Sequence, residues 1–128
     1  PTIGVTKLEI SHMKDGDIAG LAIFQDPYAY IAVTQKNGEK ELIMINNGEV
    51  IASEPFKGKT VFLRTIASNK TSTASFEYSF NNKKYKQLGN ELNMKFNLSV
   101  FTGNKFCLFN YATKETGGYV DFDWFRAE

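Results

Sequence analysis

Cysteine, histidine and tryptophan are nearly missing from this chain, which holds one of each. A single cysteine, Cys107, cannot form an internal disulfide. It lies in the apolar run Phe106-Cys107-Leu108-Phe109, where a small buried hydrophobe is the expected role rather than a nucleophile. Any Ser-His-Asp or Cys-His arrangement would have to be built on His12, which stands in Ser11-His12-Met13-Lys14 before an Asp-Gly-Asp turn and reads as a surface residue. A zinc site of the ordinary kind has almost no ligands to draw on. An excess of one charge is also lacking. Fifteen basic residues against fourteen acidic ones leave +1, so nothing in the balance draws the chain to nucleic acid or to an anionic membrane. No apolar run approaches the ~20 residues that cross a bilayer. No secretory leader, internal repeat, low-complexity tract or linker is seen, and no long stripe of period 3.6 marks a helix. The chain opens at Pro1 without a Met and reads as an excised or processed piece, which leaves its compartment open.

What is present has the size and make-up of one globular domain spanning residues 1–128. Hydrophobic residues make up 42% and aromatics 14%, with eleven Phe and six Tyr; such rings favour strands and fill a thin core. Turn signals are dense. Lys36-Asn37-Gly38-Glu39 separates Tyr28–Gln35 from Lys40–Asn46, and Asn-Gly supplies the positive φ angles of a type I′ hairpin. Asn46-Asn47-Gly48 leads on to Glu49–Ser53, completing an antiparallel meander. Gly20–Gln25 is a short apolar strand. Val61–Ala67 alternates, and Ala74–Phe80 puts Phe76, Tyr78 and Phe80 on one face, the mark of a half-buried strand. Asn81-Asn82-Lys83 turns into Lys84–Leu88. Lys105–Ala112 and Tyr119–Ala127, separated by a loop with Gly117-Gly118, form the last pair, and Val5–Ser11 is a weaker strand. Asn90–Val100 resists a strand reading and is expected to hold one short helical turn. The pattern predicts an all-β fold, an antiparallel sandwich or barrel.

Candidate chemistry is sparse. Asp121 and Asp123, two residues apart on one strand, would share a face with Cβ atoms roughly 7 Å apart. Three readings stay open: a solvated strand face, a hard cation such as Ca²⁺, or the carboxylate pair of a glycoside hydrolase. Asp15-Gly16-Asp17 has the start of a Ca²⁺ loop without its alternating ligands or distal Glu, and reads as a turn. A sugar site needs rings flanked by polar edges, since sugars offer apolar CH faces rimmed by hydroxyls. Tyr28 and Tyr30 share one strand face; Gln25, Arg64, Asn110, Tyr111 and Trp124 could add edges and platforms, although a ring in so aromatic a sandwich is more often core. Asn69-Lys70-Thr71 and Asn97-Leu98-Ser99 fit the N-glycosylation pattern, which matters only on a eukaryotic secretory route.

Several stretches are familiar in combination: Met13-Lys14-Asp15-Gly16-Asp17-Ile18-Ala19-Gly20-Leu21-Ala22; Tyr28-Ala29-Tyr30-Ile31; Phe76-Glu77-Tyr78-Ser79-Phe80 with its Asn-Asn-Lys turn and Tyr85; Phe101-Thr102-Gly103; Leu108-Phe109-Asn110-Tyr111-Ala112-Thr113; and Gly117-Gly118-Tyr119-Val120-Asp121-Phe122-Asp123-Trp124-Phe125-Arg126. In this order they resemble the C-terminal concanavalin A-like domain of glycoside hydrolase family 43 β-xylosidases and arabinofuranosidases, also classed as carbohydrate-binding module family 91. The resemblance covers nearly the whole chain. It implies a concanavalin A-like jelly roll serving, as a carbohydrate-binding or structural module, a bacterial enzyme, cytoplasmic or secreted, that acts on xylan, xylo-oligosaccharide or arabinoxylan; a stand-alone protein-interaction sandwich with no glycan activity is the alternative reading. The resemblance places catalysis in an upstream five-bladed propeller, so that no catalytic residue is carried over to this chain. It implies a structural Ca²⁺ near the last strand, with Asp123, and Asp121 beside it, as the candidate ligands. Domains of the family usually carry further N-terminal strands. Pro1 would then begin after them, and a sheet edge left open there would invite a homodimer by strand addition.

Overall fold

The computed structural model describes residues 2–23, 29–46, 48–68, 73–89, 91–93, 106–112 and 121–127. Among them every regular element is a strand: β1 Thr2–Glu9, β2 Asp17–Ile23, β3 Ala29–Lys36, β4 Glu39–Asn46, β5 Glu49–Phe56, β6 Thr60–Ser68, β7 Thr73–Ser79, β8 Lys86–Gln87, β9 Leu92–Asn93, β10 Phe106–Ala112 and β11 Asp121–Ala127. They form two antiparallel sheets. The first runs β11-β1-β6-β7-β8, with β9 also on β7; the second runs β10-β2-β3-β4-β5. The all-β sandwich expected from the turn signals is the observed fold.

Local chemistry accounts for the second sheet. Asn37 and Gly38 take φ of 53° and 77°, and Lys36 pairs with Glu39, as a two-residue type I′ loop requires. Asp15 ties the neighbouring turn to that hairpin: its Oδ1 accepts from Gly38 N at 2.9 Å and from Gln35 Nε2 at 3.1 Å. From there β3, β4 and β5 follow as the expected meander. In the first sheet, β6 alternates buried and half-buried residues along its whole length. Val61, Leu63, Thr65 and Ala67 turn inward, and Phe62, Arg64 and Ile66 turn away, which is the period of a strand covered on one face.

The core joins both sheets. Leu8, Val61, Leu63, Phe76 and Tyr78 from the first pack with Leu21, Ile31, Val33, Leu42 and Met44 from the second. A second, smaller cluster lies on the other face of the second sheet: Ala22, Tyr30, Ala32, Ile43 and Ile45, with Ile18 and Phe109 against it. Thr65 is fully buried and its Oγ1 finds no hydrogen-bond partner. A buried hydroxyl without a partner costs stability that a methyl would not. Thr65→Val is therefore expected to raise stability by about 1 kcal/mol, read as a higher midpoint in urea with an unchanged slope.

Some expectations change. β10 and β11 are not partners. β10 pairs with β2 and β11 with β1, so they close opposite sheets. In a sandwich, consecutive strands can cross between layers as well as form hairpins, and strand spacing does not distinguish the two. The first strand begins at Thr2 rather than Val5 and is bonded on both sides, to β11 and to β6, so no open edge lies at β1. Leu92–Asn93, within the segment expected to hold a helical turn, is a short strand on β7; residues 94–100 lie outside the described residues.

Candidate functional site

The candidate sugar-binding residues fall on different parts of the sandwich. Tyr30 sits on the outward face of the second sheet, where Ala22 and Ile45 flank it in register. It is only 8% exposed, and Phe109 meets it edge-on with ring centroids 4.9 Å apart. The ring is packed against neighbours rather than open to a ligand. Arg64 belongs to the outward face of the other sheet. Its Nε and a terminal nitrogen both reach Glu77 Oε1 at 2.6 Å, and its guanidinium lies 3.8 Å from the centre of the Tyr85 ring. Register explains the pairing, since Arg64 is directly opposite Glu77, and cross-strand charges of opposite sign attract. Tyr30 and Arg64 thus stand on opposite sides of the molecule and share no site.

For Asn110, Tyr111, Trp124, Asp121 and Asp123 only the backbone is described. Asn110 and Tyr111 lie on β10 opposite Ala19 and Ile18. Trp124 lies on β11 opposite Lys7, and the register then slips so that Phe122 faces Leu8. The slip places Asp123 at a β-bulge, with Asp121 following opposite Glu9. Bulges re-aim a strand locally, so the simple spacing of two carboxylates on a flat strand does not describe this stretch. Tyr28, Gln25 and both N-glycosylation triplets lie outside the described residues, as do the side chains of Cys107, Asp121 and Asp123.

The Ca²⁺ candidates Asp121 and Asp123 have no described side chains. Among the described ones no group of three or more His, Cys, Asp or Glu converges. Glu9, the residue opposite Asp121, is already engaged: Oε1 accepts from Ser11 N at 2.9 Å and Oε2 from the Thr60 hydroxyl at 3.1 Å. Bonds from Ser11, first its side chain and then its amide, hold the Glu9 carboxyl below the usual range. In the Asp15-Gly16-Asp17 turn the carboxylates diverge. Asp15 serves the β3–β4 hairpin, while Asp17, 2% exposed, folds back so that Oδ2 accepts from Lys14 N at 2.9 Å. The turn reading of that motif stands, and His12 is exposed in the turn before it.

The sequence reading missed one group of residues, where the open end of β5 approaches β7. Phe80 was expected inside with Phe76 and Tyr78, but β7 stops at Ser79, whose Oγ accepts from the amides of Asn81 and Asn82. The chain turns there, and Phe80 is left 52% exposed. Its ring touches those of Phe56 and Tyr78 at centroid distances of 5.6 and 5.7 Å. A cleft of about 220 Å³ opens beside it, lined also by Glu54, Lys84 and Lys86. The signal in the sequence was Asn81-Asn82 directly after Phe80: a turn that begins so soon ends the alternation one residue early.

Tyr78 adds a titrating group to this cleft. Burial pushes its phenol up, and the Glu54 carboxylate adds to the shift by its charge and by accepting the phenol's hydrogen bond. The folded state therefore favours the neutral phenol. Its contribution is fully present below the unfolded value near 10 and is lost as pH rises through the higher folded value. Urea melts of wild type and Tyr78→Phe should diverge in slope above about pH 10, with wild type losing stability faster.

Two antiparallel sheets, one of them built around a meander, with each of the last two strands pairing in a different sheet, form a sandwich of the concanavalin A-like kind. The chain belongs to the family of beta xylosidase C-terminal concanavalin A-like domains, whose model matches residues 2–128. It is 31% identical over 123 residues to a beta-xylosidase of Formosa agariphila, covering 94% of this chain and 20% of that protein. Among solved structures it resembles a GH43 glycoside hydrolase whose active site was engineered to display both endo-xylanase and exo-arabinofuranosidase activity (29% identity, TM-score 0.87, covering 99% of this chain and 29% of that one). It also resembles a bifunctional GH43-CE protein of Bacteroides eggerthii (36% identity, TM-score 0.87, covering 99% and 17%). The chain therefore spans less than a third of each of these relatives.

Proposed function

We propose that this domain is the accessory module of a xylan- or arabinoxylan-degrading glycoside hydrolase, binding the polysaccharide for an upstream propeller domain that carries the catalytic carboxylates. The observation behind this reading is the pattern of coverage. The likeness runs through nearly all of this chain but takes in 20% of the β-xylosidase relative and 29% and 17% of the two hydrolase structures, so the chain matches one part of each of those larger proteins. Affinity electrophoresis tests it. The 128-residue chain should be retarded in gels containing arabinoxylan or glucuronoxylan and not in gels without polysaccharide. Unretarded migration in every xylan gel would remove the binding role. The chain should release no xylose from an aryl xyloside; turnover abolished by Asp123→Asn would instead make it a hydrolase in its own right.

A structural role, packing against the catalytic domain, is favoured by a different observation. Val50 and Ile51, on edge strand β5, are 59% and 38% exposed, and adjacent exposed aliphatic residues suit a domain contact. Protection of β5 amides from hydrogen exchange in the longer enzyme, relative to this chain alone, is its expected sign.

A further inference from the structure

We propose that the cleft between the ends of β5 and β7 takes a xylan segment bearing uronic acid substituents, with a sugar ring stacked on Phe80 and the acid held by Lys84 and Lys86. The proposal rests on the xylan-binding reading and gives it a place and a substrate class.

Three observations carry it. Phe80 is the one aromatic among the large exposed hydrophobics of the described residues. Contacts with Phe56 and Tyr78 hold its ring in place, so a ligand meets a platform that is already ordered and need not be fixed at the moment of binding. An exposed, supported ring is what the apolar face of a pyranose requires. The second observation is the polar rim. Glu54 can accept from sugar hydroxyls, while Lys84 and Lys86 are exposed and make no ion pair among the described residues. Two ammoniums against one carboxylate leave the rim net positive, and that suits an acidic substituent better than a neutral chain. The third is extent. The cleft shares Pro55 and Phe56 with an adjoining hollow of about 500 Å³ that reaches Gly38 and Lys40 at the tip of the β3–β4 hairpin. Two hollows that meet at Pro55 and Phe56 offer more room than one sugar needs, which suits a chain. A protein partner would favour a broad exposed apolar patch, whereas here Phe80 is the one exposed ring and Glu54, Lys84 and Lys86 stand beside it.

The test uses the intact 128-residue chain with glucuronoxylan, unsubstituted xylohexaose and polygalacturonate, followed by calorimetry and by amide and side-chain NMR. Wild type should bind glucuronoxylan more tightly than xylohexaose, with resonances of Phe80, Lys84 and Lys86 moving first. Phe80→Ala, at an exposed position, should weaken both xylan ligands about tenfold. The double variant Lys84→Gln/Lys86→Gln should weaken glucuronoxylan more than xylohexaose and so lose the preference between them, about threefold at low salt. That preference should also fade in wild type at 0.5 M salt, where the Debye length is on the order of 4 Å.

Xylan binding that survives Phe80→Ala unchanged, with shifts elsewhere on the surface, would overturn the cleft and leave the accessory reading standing. Failure of wild type to bind any xylan would overturn both. Equal affinity for polygalacturonate and glucuronoxylan would reduce the site to charge alone and overturn the stacked-sugar geometry. Shifts at Phe80 on adding the catalytic portion of a longer enzyme, with none on adding glucuronoxylan, would make the cleft a domain contact and overturn the proposal.

Discussion

Gly20→Ala is expected to destabilise the domain by at least ~3 kcal/mol, and Gly20→Val to prevent folding at 37 °C. Gly20 lies in mid-strand, opposite Ala32 on β3 and Phe109 on β10. A Cβ there would stand 2.1 Å from the carbonyl oxygen of Ile31, 2.7 Å from Ala32 Cα and 2.8 Å from Ala32 Cβ. The obstruction is mostly backbone, so no rotamer change relieves it. β2 and β3 would have to move apart, and β2 is the strand that joins β10 to the rest of its sheet. Overpacking a core by a methylene typically costs 1–3 kcal/mol; displacing a ladder that carries Leu21 and Ile31 into the core adds to that cost. Gly48→Ala is the control. Gly48 has φ of +83° and nothing within 4 Å of a new Cβ, so only conformational strain applies, at roughly 1 kcal/mol. Urea midpoints of the two alanine variants should therefore differ widely. Equal midpoints would mean that close packing at Gly20 does not limit the fold.

How much of this was legible in the chain depends on the range of the physics involved. Hairpins are local. Asn37-Gly38 needs positive φ and Asn supplies it cheaply, so β3, β4 and β5 could be placed from their turns. Alternation in Val61–Ala67 is equally local, and it puts Leu63 and Arg64 on opposite faces, as the fold does. The partnership of β10 and β11 was misread because pairing between layers is set by the whole core and not by the loop that joins two strands. Tyr30 shows the same limit for function. Tyrosine on a strand face suggested a platform, but a second apolar cluster on the outward side of that sheet buries the ring against Phe109. Nothing within a few residues of Tyr30 announces Phe109, which lies across β2 in the sheet. Arg64 lies on the outward face, and its bonding to Glu77 depends on a register that only the folded sheet sets. Phe80 is the converse. It was assigned to the core by alternation, and a turn one residue later exposed it.

Phe76→Ala is the second substitution with a large expected effect, about 3–5 kcal/mol. Phe76 is the bulkiest of the fully buried side chains. It stands on β7 opposite Thr65, and its carbonyl accepts from Leu88 N at 2.8 Å. Truncation removes the ring's transfer energy and leaves a cavity between sheets that are fixed by their own ladders, so collapse into the space is limited. A domain of this size has a total stability of roughly 5–15 kcal/mol, so the loss is a large share of it. Each kcal/mol should lower the melting temperature by about 3–6 °C, and calorimetry should find Phe76→Ala melting more than about 10 °C below wild type. Phe76→Leu keeps most of the apolar volume and should recover more than half of that difference. A small effect of Phe76→Ala beside a large one of Phe80→Ala would reverse the assignment of these two rings, making Phe80 the structural residue. With Phe76 confirmed as the inward anchor, the exposed ring of Phe80, just past the end of β7, is free to serve the cleft, because the core does not depend on it.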